Sequence, residues 1–218
     1  MRRPEHQRRA MIEVHHLDKS RSHRVLWVLE ELGLPYRIVR YQRLPSMVAP
    51  KELAAIHPLG KSPVIRDGEV TLAESGAIIE YLLERYGEGR LSPPRGSAEW
   101  VRYIYFLHYA EGSLMPPLFL RLVIGKLGLL GMPARGFVNK RIAEHLAFLE
   151  GELAERPFFA GDALTAADIQ MSYPLVAASA RGGLDERYPR LSSYVKRLRD
   201  QPGLQRAIEK AGPLEVPG

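Results

Sequence analysis

Cysteine is missing from this sequence of 218 residues. Its absence excludes disulfide bonds, thiolate zinc sites and a cysteine nucleophile, so any sulfur chemistry needs a thiol from another molecule. Long apolar runs are missing too: no stretch of about 18 apolar residues occurs, and we expect no membrane span. The basic opening "MRRPEHQRRAM" is not followed by the apolar segment of a signal peptide. We therefore expect a cytoplasmic protein in which residues 1–10 form a disordered basic tail.

The chain is moderately basic, with 31 Lys and Arg against 25 Asp and Glu and a formal net charge of +6. Clustered positive charge can mark a nucleic-acid partner, because it releases counterions from phosphates. Here much of the excess lies in the first ten residues and in "YVKRLRD", without an interleaved aromatic surface on which bases could stack. No nucleic-acid partner is expected.

The first part of the chain alternates strand and helix patterns. "MIEVHHL" is typical of a strand, "SHRVLWVLEELGL" has apolar residues at helical spacing and ends at Gly33, and "YRIVRY" predicts a second strand. This order predicts parallel pairing through a right-handed crossover. A short helix in "PKELAAIHP", a hairpin in "PVIRDGEVTL" that turns at Asp67 and Gly68, and a helix in "AESGAIIEYLLERYG" complete an α/β unit over residues 11–87.

The composition changes at "EGRLSPPRGS". This stretch is rich in Gly, Pro and Ser, and it predicts an interdomain linker over residues 88–97. No alternating strand pattern follows, so residues 98–218 are expected to be helical throughout. The first of these helices is expected to run to Gly112 and to bend or end at the proline pair 116–117.

Two further signals lie in the helical part. "VIGKLGLLGMPARG" indicates an apolar, glycine-rich connector, with Pro133 opening the next helix. In "LTAADIQMSYPL", Thr165 and Asp168 stand at the spacing of a capping box, in which two side chains satisfy the first free N–H groups of a helix. We interpret this second motif as a structural helix start rather than as a site.

Two loops carry groups that suit a small polar ligand. In "HPLGKSPV", Pro63 stands at the first residue of a strand, and a cis peptide bond there would expose the backbone of Ser62 for strand-like pairing with a ligand. In "LAESGAII", Glu74 and Ser75 stand at a helix N-terminus, which attracts a carboxylate. A plain N-cap would explain these two residues as well. Lys61 adds a cation on the neighbouring loop.

A serine-rich turn precedes the first helix. Ser20 and Ser22 stand in "DKSRSHR", where a serine ordinarily caps the helix, and Ser22 is well placed to close the first turn. Together with the two loops, the Ser20 hydroxyl complements an extended molecule with two carboxylates, one ammonium group, a central peptide and a nucleophile. Glutathione carries that set of groups.

Several segments resemble a known family. "SRSHRVLWVLEEL", "HPLGKSPV" and "LAESGAIIEYL" are similar, in order and distance, to the glutathione-binding half of the cytosolic glutathione transferases. "HHLDKSRSHRVLWVL", "EGSLMPPL" and "ADIQMSYPL" resemble segments of its fungal-type branch. The resemblance implies a thioredoxin-like α/β N-terminal domain, an all-α C-terminal domain and a homodimer. It also implies glutathione as co-substrate and no metal ion.

The resemblance assigns a role to each candidate residue. Ser20 is similar to the hydroxyl residue that hydrogen-bonds the glutathione sulfur in serine-type members, and Ser22 is its rival. The step from Ser20 to Arg24 matches the family's Ser-x-x-x-Arg pattern and favours Ser20, whereas no tyrosine precedes Tyr36 to serve as in tyrosine-type members. His57 stands where Asn is common, which affects the subclass more than binding. The implied glutathione contacts are Lys61 for the glycyl carboxylate, Ser62 with the cis proline Pro63 for the cysteinyl backbone, and Glu74 with Ser75 for the γ-glutamyl group.

The activity implied is glutathione transfer. A donor to the sulfur and the N-terminus of the first helix would lower the thiol pKa from about 8.5, and the thiolate would attack a small hydrophobic electrophile. Glutathione peroxidase activity is a further expectation, and a glutathione-dependent isomerase or dehalogenase is an alternative within the family. A non-catalytic glutathione-fold interaction module is the alternative of another class. An apolar surface is expected from the residues Tyr105, Tyr109, Gly112 and Met115. This surface either lines the electrophile site or packs in the core.

Overall fold

The computed structural model describes residues 11–217. The predicted basic tail, residues 1–10, therefore lies outside the described residues. The first half contains the strands β1 (Ile12–Leu17), β2 (Tyr36–Tyr41), β3 (Val64–Asp67) and β4 (Val70–Ala73), with the helices α1 (Ser22–Leu32), α2 (Glu52–Ile56) and α3 (Ser75–Tyr86). This element order is the one the sequence pattern predicts.

The four strands form one mixed sheet in the order β2-β1-β3-β4. β1 pairs in parallel with β2, with Val14 opposite Ile38, and antiparallel with β3, with Val14 opposite Ile65. The predicted crossover and the predicted hairpin are both confirmed, and Gly68 turns the hairpin with a φ of +59°. Because β1 and β3 run in opposite directions, the end of β1 lies beside the loop that leads into β3.

Helix α1 is buried on nearly every side. Its residues 25–29 are all fully buried. The helix packs against β1 on one side and against α3 and two helices of the second half on the others, so it has no solvent-facing stripe of the kind an amphipathic surface helix carries. Gly33 ends it with a φ of +62°, a left-handed conformation that favours glycine. α1 is therefore the element that both halves of the molecule share.

The second half consists of helices within the described residues. They are α4 (Ala98–Tyr109), α5 (Met115–Lys126), α6 (Met132–Glu152), α7 (Ala166–Ala177), α8 (Pro189–Arg199) and α9 (Pro202–Ala211). The predicted fold class, a thioredoxin-like α/β half followed by an all-α half, is confirmed. Among residues 11–217, no helix is long and apolar enough to cross a membrane. The cytoplasmic location stays a prediction.

The join between α4 and α5 differs from the expectation. The chain does not bend or stop at the proline pair but passes from α4 through a π-helical turn, Ala110–Leu114, straight into α5. Pro116 lies in the first turn of α5, directly after the π-helical turn. The expected connector is shorter than predicted, because the segment "VIGK" completes α5. Pro133 does lie in the first turn of α6, as predicted.

Residues 88–97 contain no helix and no strand. They are nevertheless attached to both halves: Arg90 Nη1 donates to the carbonyl of Leu32 at 3.2 Å, and the carbonyl of Leu91 accepts the N–H of Ala166 at 2.8 Å. The domain boundaries that we place at either side of this segment stay a prediction.

The capping box at the start of α7 is confirmed. Asp168, fully buried, accepts hydrogen bonds from the N–H and the hydroxyl of Thr165 at 2.8 and 2.7 Å. It also accepts the N–H of Phe159 at 3.0 Å and the hydroxyl of Tyr194 at 2.7 Å. One carboxylate thus fixes the helix start, the preceding loop and α8.

We predict that Asp168→Ala lowers the free energy of unfolding by about 3–5 kcal/mol, because four buried donors lose their acceptor together. Urea denaturation measures the loss. Asp162→Ala, an exposed aspartate in the same loop, is the matched control and should change stability by less than about 0.5 kcal/mol. Equal effects of the two substitutions would contradict the role given to Asp168.

Candidate functional site

Three serine hydroxyls meet at the N-terminal end of α1. Ser20 Oγ lies 2.7 Å from Ser22 Oγ and 3.4 Å from Ser62 Oγ. The Ser62 hydroxyl donates to the carbonyl of His15 at 2.8 Å and accepts the N–H of Leu17 at 3.2 Å, so it is fixed against β1. The antiparallel pairing of β1 and β3 therefore brings together two predicted site residues that are 42 positions apart.

The start of α1 corrects one expectation about these serines. Ser22 does not cap the helix: it is the first helical residue, and its hydroxyl bonds to His16 Nδ1 on β1 at 2.7 Å. The first free N–H, that of Ser22, is accepted by Ser20 Oγ at 3.2 Å. Lys19, with a φ of +53°, makes the turn tight enough for this contact. Ser20 therefore satisfies the helix start and keeps its hydroxyl at the end of β1.

The loop before β3 carries the next predicted residues. Lys61 is exposed, Ser62 is partly buried and Pro63 is buried. The Ser62–Pro63 peptide bond is cis, as expected from the sequence. The loop thus presents a cation at the surface and a fixed serine directly below it.

The start of α3 supplies a second polar group. Glu74 is exposed and has a φ of +70°, whereas Ser75 is buried. Ser75 Oγ accepts hydrogen bonds from Arg24 Nη1 and from Gln170 Nε2, each at 3.2 Å. Because both partners are donors only at those atoms, the hydrogen of Ser75 is left to donate elsewhere. Ser75 is therefore positioned as a donor at a helix N-terminus.

A buried arginine lies between these two groups. Arg24 is fully buried, and its Nη1 donates to Glu111 Oε1 at 2.6 Å, while Arg21 Nε donates to the same oxygen at 2.9 Å. Burial lowers the pKa of Arg24 to about 10, against the opposing effect of Glu111, so Arg24 stays protonated at neutral pH. Burial alone would raise the pKa of Glu111, but Arg24 and Arg21 outweigh it and lower that pKa.

Tyr173 on α7 covers both guanidinium groups. Its ring centre lies 5.1 Å from Arg21 Cζ and 5.3 Å from Arg24 Cζ, which is cation–π distance. Its hydroxyl donates to the carbonyl of Lys19 at 3.2 Å, and Arg43 Nη2 donates to the same carbonyl at 3.2 Å. The peptide group that precedes Ser20 is thus held from both halves of the molecule.

The residues predicted for an electrophile site are placed differently from one another. Tyr105, Tyr109 and Gly112 line one shallow surface pocket, whereas Met115 is buried in the core. Tyr109 bonds through its hydroxyl to His145 Nδ1 at 2.5 Å, and Tyr105 stacks on Tyr109. In the described part of the chain, no hydrogen bond or ring contact joins these side chains to Ser20 or its neighbours. Their role as an electrophile wall stays a prediction, and core packing accounts for Met115.

Local sequence patterns did not predict the residues that the helical half contributes to the site. These are Glu111, Gln170 and Tyr173. Glu111 lies in the π-helical turn, which no local pattern predicted, and Gln170 and Tyr173 lie inside a motif that we interpreted as structural. One signal could have found Glu111: the two arginines of "SRSHR", Arg21 and Arg24, have no acidic residue beside them in that segment. Among residues 11–217, no three His, Asp or Glu side chains are grouped as a metal site requires.

Comparison with known proteins places this geometry in context. Residues 10–84 match the family model "Glutathione S-transferase, N-terminal domain", and residues 132–197 match "Glutathione S-transferase, C-terminal domain". A relative, glutathione S-transferase 3 of Schizosaccharomyces pombe, is 34% identical over 92% of this chain and 88% of its own length.

Two solved structures have the same fold. A glutathione S-transferase from Actinobacillus pleuropneumoniae is 35% identical, covers 94% of both chains and superimposes with a TM-score of 0.85. A glutathione transferase from Phanerochaete chrysosporium, solved in complex with oxidized glutathione, is 22% identical, covers 94% of this chain and 98% of its own, and has a TM-score of 0.78. At that identity the second structure supports the fold alone.

We predict that Glu111→Gln destabilises the protein at pH 7 by about 1–3 kcal/mol, because the buried Arg24 loses its counter-charge; the partial exposure of Glu111 keeps the figure low. The ionised Glu111 carboxylate stabilises the fold at pH values above the usual carboxyl pKa of 4.5. This stabilisation is lost as the pH falls through the lowered pKa that Glu111 has in the folded state. The free energies of unfolding of wild type and variant should therefore approach each other below pH 4.5.

Urea denaturation at a series of pH values measures this difference. Glu84→Gln is the matched control, since Glu84 pairs with Arg95 in an exposed ion pair and should contribute less than about 0.5 kcal/mol. A Glu111→Gln effect as small as the control, or one that grows in acid, would contradict the pairing described above.

Proposed function

The chain belongs to the glutathione S-transferase family, and from this premise we propose that it binds glutathione beside Ser20 and activates the thiol for attack on small hydrophobic electrophiles. The observation that carries the proposal is the approach of Ser20 Oγ to 3.4 Å from Ser62 Oγ, directly before a cis proline. A cysteinyl unit that pairs with the backbone of Ser62 would hold its sulfur within reach of the Ser20 hydroxyl.

The ends of glutathione have complementary partners on either side. The exposed Lys61 ammonium suits the glycyl carboxylate. At the other end, Ser75 has a hydrogen to donate and lies at the N-terminus of α3, where a carboxylate is favoured, and the exposed Glu74 carboxylate suits the γ-glutamyl ammonium group. These contacts match the charges of the tripeptide from end to end.

Ser20 is the better candidate for the thiol contact. The hydroxyl of Ser22 is fully buried and already bonded to both Ser20 and His16. Ser20 Oγ lies at the end of that hydroxyl pair, on the side of Ser62. A ligand thiol can therefore reach Ser20 without breaking the packing of α1, whereas it cannot reach Ser22.

The proposed mechanism is stabilisation of the thiolate followed by nucleophilic attack. The thiol proton is released to solvent, and the thiolate accepts the Ser20 hydrogen bond close to the N-terminus of α1, two effects that lower the thiol pKa from about 8.5. The sulfur then forms a bond to the electrophilic carbon, and the leaving group departs with the bonding electron pair. Dehalogenation follows the same scheme with a halide as the leaving group, and isomerisation would release the glutathione again. In peroxide reduction the thiolate would attack oxygen instead of carbon, and a second glutathione would convert the resulting sulfenic acid to glutathione disulfide and water.

We predict that the wild-type protein is retained on immobilised glutathione and conjugates a general aryl halide. Ser20→Ala should still bind glutathione but should conjugate about 10- to 100-fold more slowly at pH 6.5, because a thiol pKa raised by one to two units leaves that much less thiolate. Ser193→Ala, an exposed serine on α8, is the control and should behave as wild type.

Two results would contradict these expectations in different ways. A wild-type protein that neither binds glutathione nor conjugates would overturn the transferase proposal. A Ser20→Ala variant with the wild-type rate at every pH would remove the role of Ser20 and leave the family assignment intact.

We further propose that the protein is a homodimer, as the family implies, with the outer side of α4 in the interface. Val101 on α4 is 61% exposed and Ile104 beside it is 36% exposed. A groove between α3 and α4 adds Tyr81 and Trp100 to this apolar surface. Such a surface is consistent with a partner that covers it.

We predict that Val101→Glu shifts the protein from dimer to monomer in light scattering at micromolar concentration, because a charge buried in an apolar interface is costly. Val48, 59% exposed on the loop after β2, offers a control of equal exposure, and Val48→Glu should leave the mass unchanged. A wild type that is monomeric, or a Val101→Glu variant that stays dimeric, would contradict the placement of the interface.

A further inference from the structure

Three hydrogen-bonded side chains, those of His16, Ser22 and Ser20, form a row that leads from the sheet to the proposed thiol position; we call this row the file. His16 Nδ1 lies 2.7 Å from Ser22 Oγ, and Ser22 Oγ lies 2.7 Å from Ser20 Oγ. His16 and Ser22 are fully buried, and Ser20 is 4% exposed. The file therefore begins inside the molecule and reaches the surface only at Ser20.

The file can run in two directions, because each hydroxyl has a single hydrogen. If His16 carries its proton on Nε2, Ser22 donates to Nδ1 and Ser20 donates to Ser22, so the Ser20 hydrogen points inward. If His16 carries its proton on Nδ1, it donates to Ser22, Ser22 donates to Ser20, and the Ser20 hydrogen points outward. We call these two arrangements the inward and the outward file. Only in the outward file can Ser20 donate to a thiolate.

The surrounding contacts favour the outward direction. Ser20 Oγ accepts the N–H of Ser22 at 3.2 Å, and in its 2.7 Å contact with Ser22 Oγ either hydroxyl can donate. Ser62 cannot donate to Ser20, because its own hydrogen goes to the carbonyl of His15, so Ser20 is the donor in the 3.4 Å contact between these two hydroxyls. Within residues 11–217, His16 Nε2 has no hydrogen-bond partner. Donation from Ser20 to Ser62 requires Ser22 to donate to Ser20 and His16 to donate from Nδ1, which favours the proton on Nδ1.

We propose that His16 and Ser22 are positioning residues that direct the Ser20 hydrogen toward the glutathione sulfur, with His16 as the Nδ1–H tautomer. This inference rests on the proposed function, since it assumes that Ser20 is the donor to the thiolate. Hydrogen bonds in a continuous file polarise one another, so the donation from Ser22 also makes the Ser20 hydroxyl a stronger donor.

The groups that face His16 keep it uncharged. Burial lowers its pKa to about 4, with His23 and Arg40 acting in the same direction and the carbonyl of Ala211 acting against them. That carbonyl already accepts Arg40 Nη1 at 3.1 Å. Asp18, nearly half exposed, approaches His16 Nε2 only to 3.8 Å. At neutral pH the file therefore orients hydrogen bonds without carrying charge.

The two directions predict effects of opposite sign for Ser22→Ala. In the outward file, Ser20 loses the hydroxyl that donates to it, and the thiol pKa of bound glutathione should rise by about half to one unit. The conjugation rate at pH 6.5 should then fall about three- to tenfold and recover by pH 9. In the inward file, the same substitution frees the Ser20 hydrogen, and the thiol pKa should fall.

Substitutions of His16 test the other end of the file. His16→Leu removes the donor and should reproduce the pKa shift of Ser22→Ala, whereas His16→Asn keeps an amide N–H near the Nδ1 position and should restore the rate to within about twofold of wild type. The double variant His16→Leu with Ser22→Ala should be no slower than either single variant, since all three break one file.

The decisive readout is the thiol pKa of bound glutathione, from ultraviolet absorption of the thiolate, with melting temperature and glutathione affinity measured in parallel. A purely structural role would lower the last two without moving the thiol pKa, and would overturn the proposal. An unchanged or lowered thiol pKa in Ser22→Ala would overturn it as well, even if the His16 variants fail to fold. If Ser20→Ala also leaves the thiol pKa unchanged, the proposed role of Ser20 is wrong, and the proposed roles of His16 and Ser22 are wrong with it.

Discussion

The buried guanidinium of Arg24 is the constraint on which the rest of this site depends. A charge removed from water is tolerated only when it is paired and hydrogen-bonded. Here the arginine and its two partners come from three places: α1 carries the arginine, the π-helical turn after α4 supplies Glu111, and the start of α3 supplies Ser75. Pairing this one charge therefore joins the two halves of the molecule and holds the Ser75 hydroxyl in place.

Side chains from distant segments also fix the first turn of α1. The carbonyl of Lys19 accepts both Tyr173 and Arg43, which holds the peptide group before Ser20. The Ser20 hydroxyl in turn caps the helix and forms the end of the buried hydroxyl file. Helix capping and the proposed contact with the thiol are thus two uses of one side chain, and neither requires a long or flexible group.

Local sequence patterns predicted the elements of the α/β half because each strand and helix there carries its own signal: the spacing in α1, the Gly33 terminus and the turn at Gly68. The same holds for the capping box of Thr165 and Asp168.

Patterns failed where the structure depends on contacts between distant segments. The proline pair predicted a break after α4, but proline is tolerated in a first helical turn, and the preceding π-helical turn has no periodic signature. Ser22 was predicted to cap α1, since nothing in the sequence reveals that His16 faces it. Glu111 and Tyr173 could not be predicted for the same reason.

The proposed mechanism requires that this protein lower the thiol pKa of bound glutathione through a hydroxyl at the start of α1. A pH titration of thiolate absorbance, with the wild-type protein saturated with glutathione, measures that pKa. We expect a thiol pKa of about 7.5 or lower, at least one unit below the value of about 8.5 for an unperturbed thiol. A bound thiol that titrates at about 8.5 would contradict it.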